Sequence, residues 1–411
     1  MAERVTIERL GAKGDGVAPG PVFVPYALPG ETVRVTREGP RAAVEAVETS
    51  SSERAEPFCP YFGACGGCAA QHMSAALYGA WKRGIVAGAL EAARLAAPLA
   101  DLVDAHGAGR RRITLHARWP DGATHVGYMA ARSHALIDIA ACPIAEPALA
   151  AAPAVAKALA GALARSKKPL DIQVTTSEAG FDVDLRGHGP VGEGLRQRLV
   201  ALANELDLAR LAVHGDVVVE RRPPWHAMGR AQVVPPAGAF LQATRAGEEI
   251  LSALVMDACK SAKRVADLFA GCGPFSLRLA QGAEVHAVEG EDASLKALDR
   301  AARGTPGLRR VTVETRDLFR RPLLPLELDR YDAVVIDPPR AGAEAQARQL
   351  AASKVPVVAS VSCDPGTFAR DAGLLVAGGY ELVQVTPVDQ FKYSPHVELV
   401  GIFCRPGRKR R

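Results

Sequence analysis

The sequence predicts an α/β protein. It should hold a C-terminal doubly wound, Rossmann-like sheet, a central α+β domain and a small N-terminal β-barrel. Three observations carry this. The last third alternates strand-like and helix-like segments at regular spacing. The middle mixes short strands with alanine-rich helices. The first 48 residues hold short β-like runs between glycine-rich turns.

In chain order, residues 1–55 supply VFVPYAL and ETVRVT, separated by the turns GAKGDG and LPGE. ETSSSERAEP reads as a linker. Residues 56–235 supply the strands RRRITLHARW, THVGYMA, DIQVTTS and FDVDLRG. Residues 236–411 supply VADLFA, EVHAVEG, RRVTVET, YDAVVIDPP and VPVVASVSC. Helical patterns separate most of these strands, among them FSLRLAQ, DASLKALDRAARG, AEAQARQLAAS and TFARDAGLLVAGG. Such alternation implies right-handed crossovers and a parallel sheet covered on both faces. Two further strands, YELVQVTPV and VELVGIFC, close the chain with no helix between them. That ending is typical of the methyltransferase variant of the doubly wound fold.

Composition is that of an ordinary globular protein, with a net charge of +5 over 411 residues. The start, MAERVTIERL, has no apolar run of signal-peptide length. No stretch approaches the ~20 apolar residues of a membrane span. The expectation is a cytoplasmic monomer without a membrane partner. Basic residues cluster at 110–112, at Arg165, Lys167 and Lys168, at Arg221 and Arg222, and at 408–411. Clusters of this kind suit a polyanion such as RNA, and equally describe solvated surface patches.

Four segments should meet beyond the carboxyl ends of the parallel strands, where open α/β sheets bind ligands. DLFAGCGPF places Asp267, Phe269, Gly271 and Gly273 on the first strand-to-helix turn, and its glycines let the backbone approach a ligand. Glu289 follows Asp267 by 22 residues, at a spacing suited to ribose hydroxyls. Asp317 follows the third strand, where an acid can meet an adenine amino group. DPPR, with Asp337 and Arg340, follows the fourth. Nicotinamide binding competes, but its G-x-G-x-x-G fingerprint fails because Ser276 holds the third position. The ordered set favours S-adenosylmethionine.

Cys363 stands directly after the fifth strand, followed by the turn residues Asp364, Pro365 and Gly366. A thiol at the tip of a sheet is placed as a nucleophile, while burial is the commoner role for cysteine and is the reading for Cys259 and Cys404. CPYFGACGGC crowds Cys59, Cys65 and Cys68 into ten residues. A reducing compartment argues against a disulfide there. Zinc prefers paired C-x2-C motifs, of which one exists, with His72 nearby.

DLFAGCGPF, DPPR, SVSCDPGTFARD and the closing PHVELV together resemble the RNA (uracil-5-)methyltransferase family. The residues from IERLGAKGDG to ETVRV also resemble the TRAM domain carried by part of that family. The resemblance covers nearly the whole chain. It implies methylation of uridine carbon 5, with Cys363 as nucleophile and Glu398 as base. It implies that Asp337 helps fix the substrate and the methyl donor, that Gln242 contacts S-adenosylmethionine, and that Phe269 stands at an aromatic position of that site. It implies a [4Fe-4S] cluster on Cys59, Cys65, Cys68 and Cys142, two of which precede a proline. The TRAM-like start favours 23S rRNA as substrate, with a transfer RNA T-loop as the runner-up. Pro274 and Thr244 depart from the family's asparagines. An amino-group methyltransferase would place an aromatic residue where Arg340 stands. A non-catalytic RNA-binding iron–sulfur protein would not need the intact set of Asp267, Glu289, Asp337, Cys363 and Glu398.

Overall fold

The computed structural model describes residues 2–120, 122–163 and 169–406. Three large sheets organise the described residues, beside a two-stranded hairpin of His226–Met228 and Ala231–Val233. The first is a curled six-stranded sheet, in spatial order Ala2–Thr6, Thr32–Glu38, Arg41–Thr49, Val22–Val24, Gly16–Ala18 and Arg9–Leu10. Alternation in ETVRVT turns Val33 and Val35 inward against Ile7, Val22 and Val24. The stretch expected as a linker is pinned instead. Arg54 donates to both carboxylate oxygens of the buried Glu31, at 2.6 and 2.7 Å, a bidentate contact that holds the chain as it leaves the sheet.

The second sheet has seven strands, from Leu136–Asp138 at one edge to Asp216–Glu220 at the other. Its apolar face packs on the helices Ala152–Ala162 and Glu193–Glu205 through Leu159, Leu199 and Ala203.

The third sheet has eight strands. Val311–Thr315, Glu284–Glu289, Arg264–Leu268, Ala333–Ile336 and Val357–Ser362 run parallel. Glu398–Cys404 then enters antiparallel, between Val357–Ser362 and Glu381–Asp389. This is the α/β architecture the alternation predicts, and the closing pair of strands supplies the reversal.

Residues 75–104 pack with this last sheet, although they lie within the segment read as the central domain. Val86 and Leu90 of the Ala75–Ala92 helix share a core with Leu268, Ile336 and Phe368. Val103–Asp104 pairs parallel to Glu381–Asp389 as the edge strand. Chain adjacency to the cysteine loop concealed this placement.

Other expectations change as well. The basic clusters at 110–112 and 221–222 are not free patches. Arg111 is buried and bonds Glu248 at 2.6 Å, while Arg221 and Arg222 share Asp207 at 2.6 and 2.8 Å. Arg165, Lys167, Lys168 and residues 408–411 lie outside the described residues. Cys259 is buried as expected, but Cys404, the last residue of an interior strand, is only half-buried. Among the described residues, no helix is long and apolar enough to cross a membrane.

Candidate active site and cysteine cavity

Strand register brings Cys363, Glu398 and Asp337 to one rim of the sheet. Val357–Ser362 pairs antiparallel with Glu398–Cys404, the last pair being Ser362 and Leu399. The next position in that register sets Cys363 opposite Glu398. Ile336, which ends the neighbouring strand, places Asp337 on the same rim. The Asp364 side chain accepts from Gly366 and Thr367 N–H, capping the Pro365–Ala377 helix and fixing the turn beside the thiol.

A chain of buried hydrogen bonds links these groups. Gln242 Nε2 donates to Asp337 Oδ2 at 3.1 Å. Gln390 Nε2 donates both to Gln242 Oε1 at 2.7 Å and to Glu398 Oε2 at 2.9 Å. Gln390 Oε1 accepts from Ala243 N–H at 2.9 Å, which fixes the amide's orientation. Asp337, Gln242, Gln390 and Glu398 thus form one continuous network. Gln390 escaped the sequence reading. Its one signal is an amide directly after an apolar strand, eight residues before Glu398.

Electrostatics follow from burial. Burial raises the proton affinity of Glu398, against the hydrogen bond from Gln390 and the nearby Arg340 charge. Burial and the neighbouring Glu398 charge raise that of Asp337 in the same way. The Cys363 thiol is pushed up to about 11 by burial, then by Glu398 and Asp337, with Arg340 opposing. The resting thiol is therefore protonated at neutral pH. Arg340 Nη2 lies 3.1 Å from His396 Nε2. Burial and Arg340 drive the His396 pKa down to about 4, so its neutral ring accepts from the guanidinium.

Buried ion pairs hold the loops that carry these residues. Arg111 donates to Gln242 O at 2.9 Å and to Glu248, which also pairs with Arg278 at 3.0 Å. Thr244, where the family usually has asparagine, is a working N-cap. Its hydroxyl accepts from Gly247 N–H at 2.8 Å and donates to Ala105 O at 2.6 Å. Lys82, fully buried on the Ala75–Ala92 helix, pairs with Asp389 at 2.9 Å and donates to the carbonyls of Phe391, Ser394 and His396. That lysine fastens the segment between Gln390 and Glu398.

The glycine turn is built from three left-handed positions at alternate residues. Phe269 (φ 62°), Gly271 (φ 52°) and Gly273 (φ 90°) all adopt left-handed backbone. Phe269 is the costly one, since a bulky residue rarely adopts that region. A side chain at Gly273 would strike Leu298 at 2.6 Å, while Gly271 faces open space. Glu289 holds the turn by accepting from Gly271 N–H at 3.1 Å. Asp267 is fully buried beneath it and accepts from Ser276 Oγ at 2.6 Å. Asp267 therefore shapes the turn from below, and among the described residues its Oδ1 has no hydrogen-bond partner. Asp317 accepts from Phe319 and Arg320 N–H, at 3.0 and 3.2 Å. This turn presents the exposed Phe319 ring 5.4 Å from that of Phe269, an aromatic pair the sequence reading did not anticipate. Pro274 O accepts from Arg278 at 2.8 Å and so anchors the following turn.

Cys59, Cys65, Cys68 and Cys142 line a separate cavity of ≈ 360 Å³, with Tyr61, Phe62, Tyr128, Arg110 and Arg112. Strand contacts close its walls: Gly66 N–H bonds Met129 O at 3.0 Å, and the Tyr61 hydroxyl accepts from Ala140 N–H at 2.9 Å. Burial pushes the Cys68 thiol up to about 12, and the Cys142 and Cys65 charges add to this. His72 does not join them. It is buried between the rings of Tyr26 and Phe62, and burial lowers its pKa to about 4. Among the described residues, no three His, Cys, Asp or Glu side chains converge as ligands of a single metal ion.

Comparison with known proteins adds to this geometry. A family model described as tRNA (Uracil-5-)-methyltransferase matches residues 305–405. An uncharacterised RNA methyltransferase of Mesorhizobium japonicum is 46% identical over 413 residues, covering 100% of both chains. The 23S rRNA (uracil(1939)-C(5))-methyltransferase RlmD of Chromohalobacter salexigens is 34% identical, over 98% of this chain and 90% of its own length. The crystal structure of Pyrococcus abyssi tRNA (uracil-54, C5)-methyltransferase, in complex with S-adenosyl-L-homocysteine, superposes with a TM-score of 0.76. That match covers 98% of this chain and 100% of the other at 21% identity, and it concerns the fold.

Proposed function

The chain belongs to the RNA (uracil-5-)methyltransferase family, and we propose that it methylates carbon 5 of a uridine in 23S rRNA through a covalent adduct on Cys363. S-adenosylmethionine, when bound, supplies the electrophilic methyl group. The observation that carries the mechanism is the register that opposes Cys363 and Glu398 on one rim. The substrate rests on the resemblance to RlmD across nearly the full chain.

In this reading the Cys363 thiol gives up its proton to solvent, and the thiolate adds to carbon 6 of uracil. The ring's π pair shifts onto carbon 5 and the carbonyl at carbon 4, making carbon 5 nucleophilic. Once carbon 5 has taken the methyl group, Glu398 removes its proton. The released pair restores the 5,6 double bond, and the sulfur leaves as thiolate. Glu398 suits the step because burial has raised its proton affinity. Arg340 opposes the groups that hold the thiol protonated. Asp337 and Gln242 fix the substrate edge and the donor. Phe269, Gly271, Gly273, Glu289 and Asp317 form the donor's cradle, with the Phe319 ring available to an adenine face.

The [4Fe-4S] cluster is the reading that the family resemblance implies for these cysteines, and the chamber that all four line supports it, while among the described residues no formed metal site is present. The cluster would be structural, joining the loop with Cys59, Cys65 and Cys68 to the distant Cys142. Residues 1–55, as a TRAM-like unit, would add RNA contacts.

The test is RNA carrying 5-fluorouracil. Carbon 5 then bears no removable proton, so the adduct should persist on denaturing gels with wild type and be absent with Cys363→Ala. Mapping modified uridines in a deletion strain distinguishes substrates, and loss of a transfer RNA mark alone would reject 23S rRNA.

A further inference from the structure

A groove of ≈ 880 Å³ runs between the N-terminal sheet, one face of the Ala75–Ala92 helix and the active-site turns. Its lining includes Cys363 and His396 of the active-site turns, together with Arg9, Lys13 and Pro29 of the N-terminal sheet. Its helical wall presents Leu77, Trp81, Gly84, Ile85, Gly88 and Ala89, one face of the helix by their spacing. Trp81 is fixed there, since its Nε1–H donates to Gly11 O at 2.9 Å and ties the N-terminal sheet to the helix.

The two glycines have no packing explanation. Each costs about 0.8–1.0 kcal/mol in a helix interior relative to alanine. Both have ordinary helical backbone, and a side-chain carbon added at either would meet nothing within 4 Å. They lie one turn apart on the groove wall, so their effect is to keep that wall bare. The groove is also open to an anion. Among the described residues neither Arg9 nor Lys13 makes an ion pair, whereas the Asp364 carboxylate is engaged in its helix cap. Glu8 is the remaining acid of the lining.

We propose that this groove seats the RNA strand next to the target uridine, with its sugar–phosphate backbone against Gly84 and Gly88 and its phosphates near Arg9 and Lys13. Continuity with Cys363 commits the groove to that occupant, because whatever fills it adjoins the base bonded to sulfur. The inference rests on the proposed uridine methylation and adds where the neighbouring nucleotides lie.

The glycines permit a test in which stability and function move in opposite directions. Gly84→Leu and Gly88→Leu should raise thermal stability, because leucine is the better helix former. They should leave S-adenosylmethionine binding by calorimetry unchanged. With 23S rRNA from a strain lacking the enzyme, KM should rise by about tenfold or more. Arg9→Glu with Lys13→Glu should also raise KM, and should lower the slope of log affinity against log salt by roughly 2. Wild-type methylation is the control that separates the two readings. No methylation of any RNA by wild type would defeat the activity. Normal wild-type methylation, with an unchanged KM in the stabilised leucine variants, would defeat the groove and leave the activity standing.

Discussion

Replacing Gln390 by leucine tests whether the buried network governs the base. The substitution keeps the volume but removes the hydrogen bonds to Glu398 and Gln242 and the one accepted from Ala243 N–H. A hydrogen bond to a charged group contributes about 1.5–3 kcal/mol. Withdrawing it from the Glu398 carboxylate should move that group's titration upward by roughly one to two pH units. The sign is fixed. Burial already raises Glu398, Gln390 opposes the rise, and its loss lets burial act further. At pH 7 the ionised fraction of a group that starts at about 7 should fall about five- to fiftyfold, and proton removal from carbon 5 should slow with it. Addition of sulfur to carbon 6 does not require that proton transfer. The assay is single turnover on unmodified 23S rRNA across pH 6 to 9, following product release and gel-stable adduct together. Gln390→Leu should accumulate adduct at pH 7 and recover towards the wild-type rate at pH 9. A merely loosened structure would not recover with base. A pH profile superimposable on that of wild type, with no adduct, would refute the reasoning.

Glu398→Gln should have two outcomes. It should hold adduct on normal RNA, and it should make Cys363 more reactive to iodoacetamide at pH 7, because a carboxylate that raises the thiol pKa is gone; slower alkylation would contradict the assigned coupling. Arg340→Ala should slow that alkylation, since its guanidinium opposes the rise. Asp267, held at about 7 against an ordinary 3.8, should destabilise the fold as pH rises from about 4 through 7, by on the order of 4 kcal/mol when fully expressed. Thermal melts of wild type should therefore fall between pH 5 and 8 more steeply than those of Asp267→Asn, and parallel curves would exclude that contribution. Anaerobically purified protein should be brown with about four irons. Cys65→Ser and Cys142→Ser should bleach it equally, whereas stoichiometric zinc or a fully coloured Cys142→Ser protein would overturn the cluster.

The sequence alone determined what depends on local order. Strand–helix alternation set the parallel sheet, because a 2-residue or 3.6-residue apolar period survives without knowledge of partners. DLFAGCGPF, DPPR and SVSCDP marked strand ends, since a turn chemistry is written within a few residues. Cys363 and Glu398 were legible as individuals on either side of 34 intervening residues. Tertiary structure decided how they meet. The antiparallel insertion of Glu398–Cys404 made the two opposite neighbours, and register is a property of the pair rather than of either strand. It also decided that Gln390 joins Gln242 to Glu398, across 148 residues on one side and eight on the other. It turned Arg111 from an apparent surface cation into a buried anchor, because only the fold supplies Glu248 as its partner. It carried residues 75–104 onto the C-terminal sheet, where Lys82 holds the loop before Glu398 across more than 300 residues. An isolated sequence lists donors and acceptors; which pairs are buried together, and so which charges are raised or lowered, follows from packing.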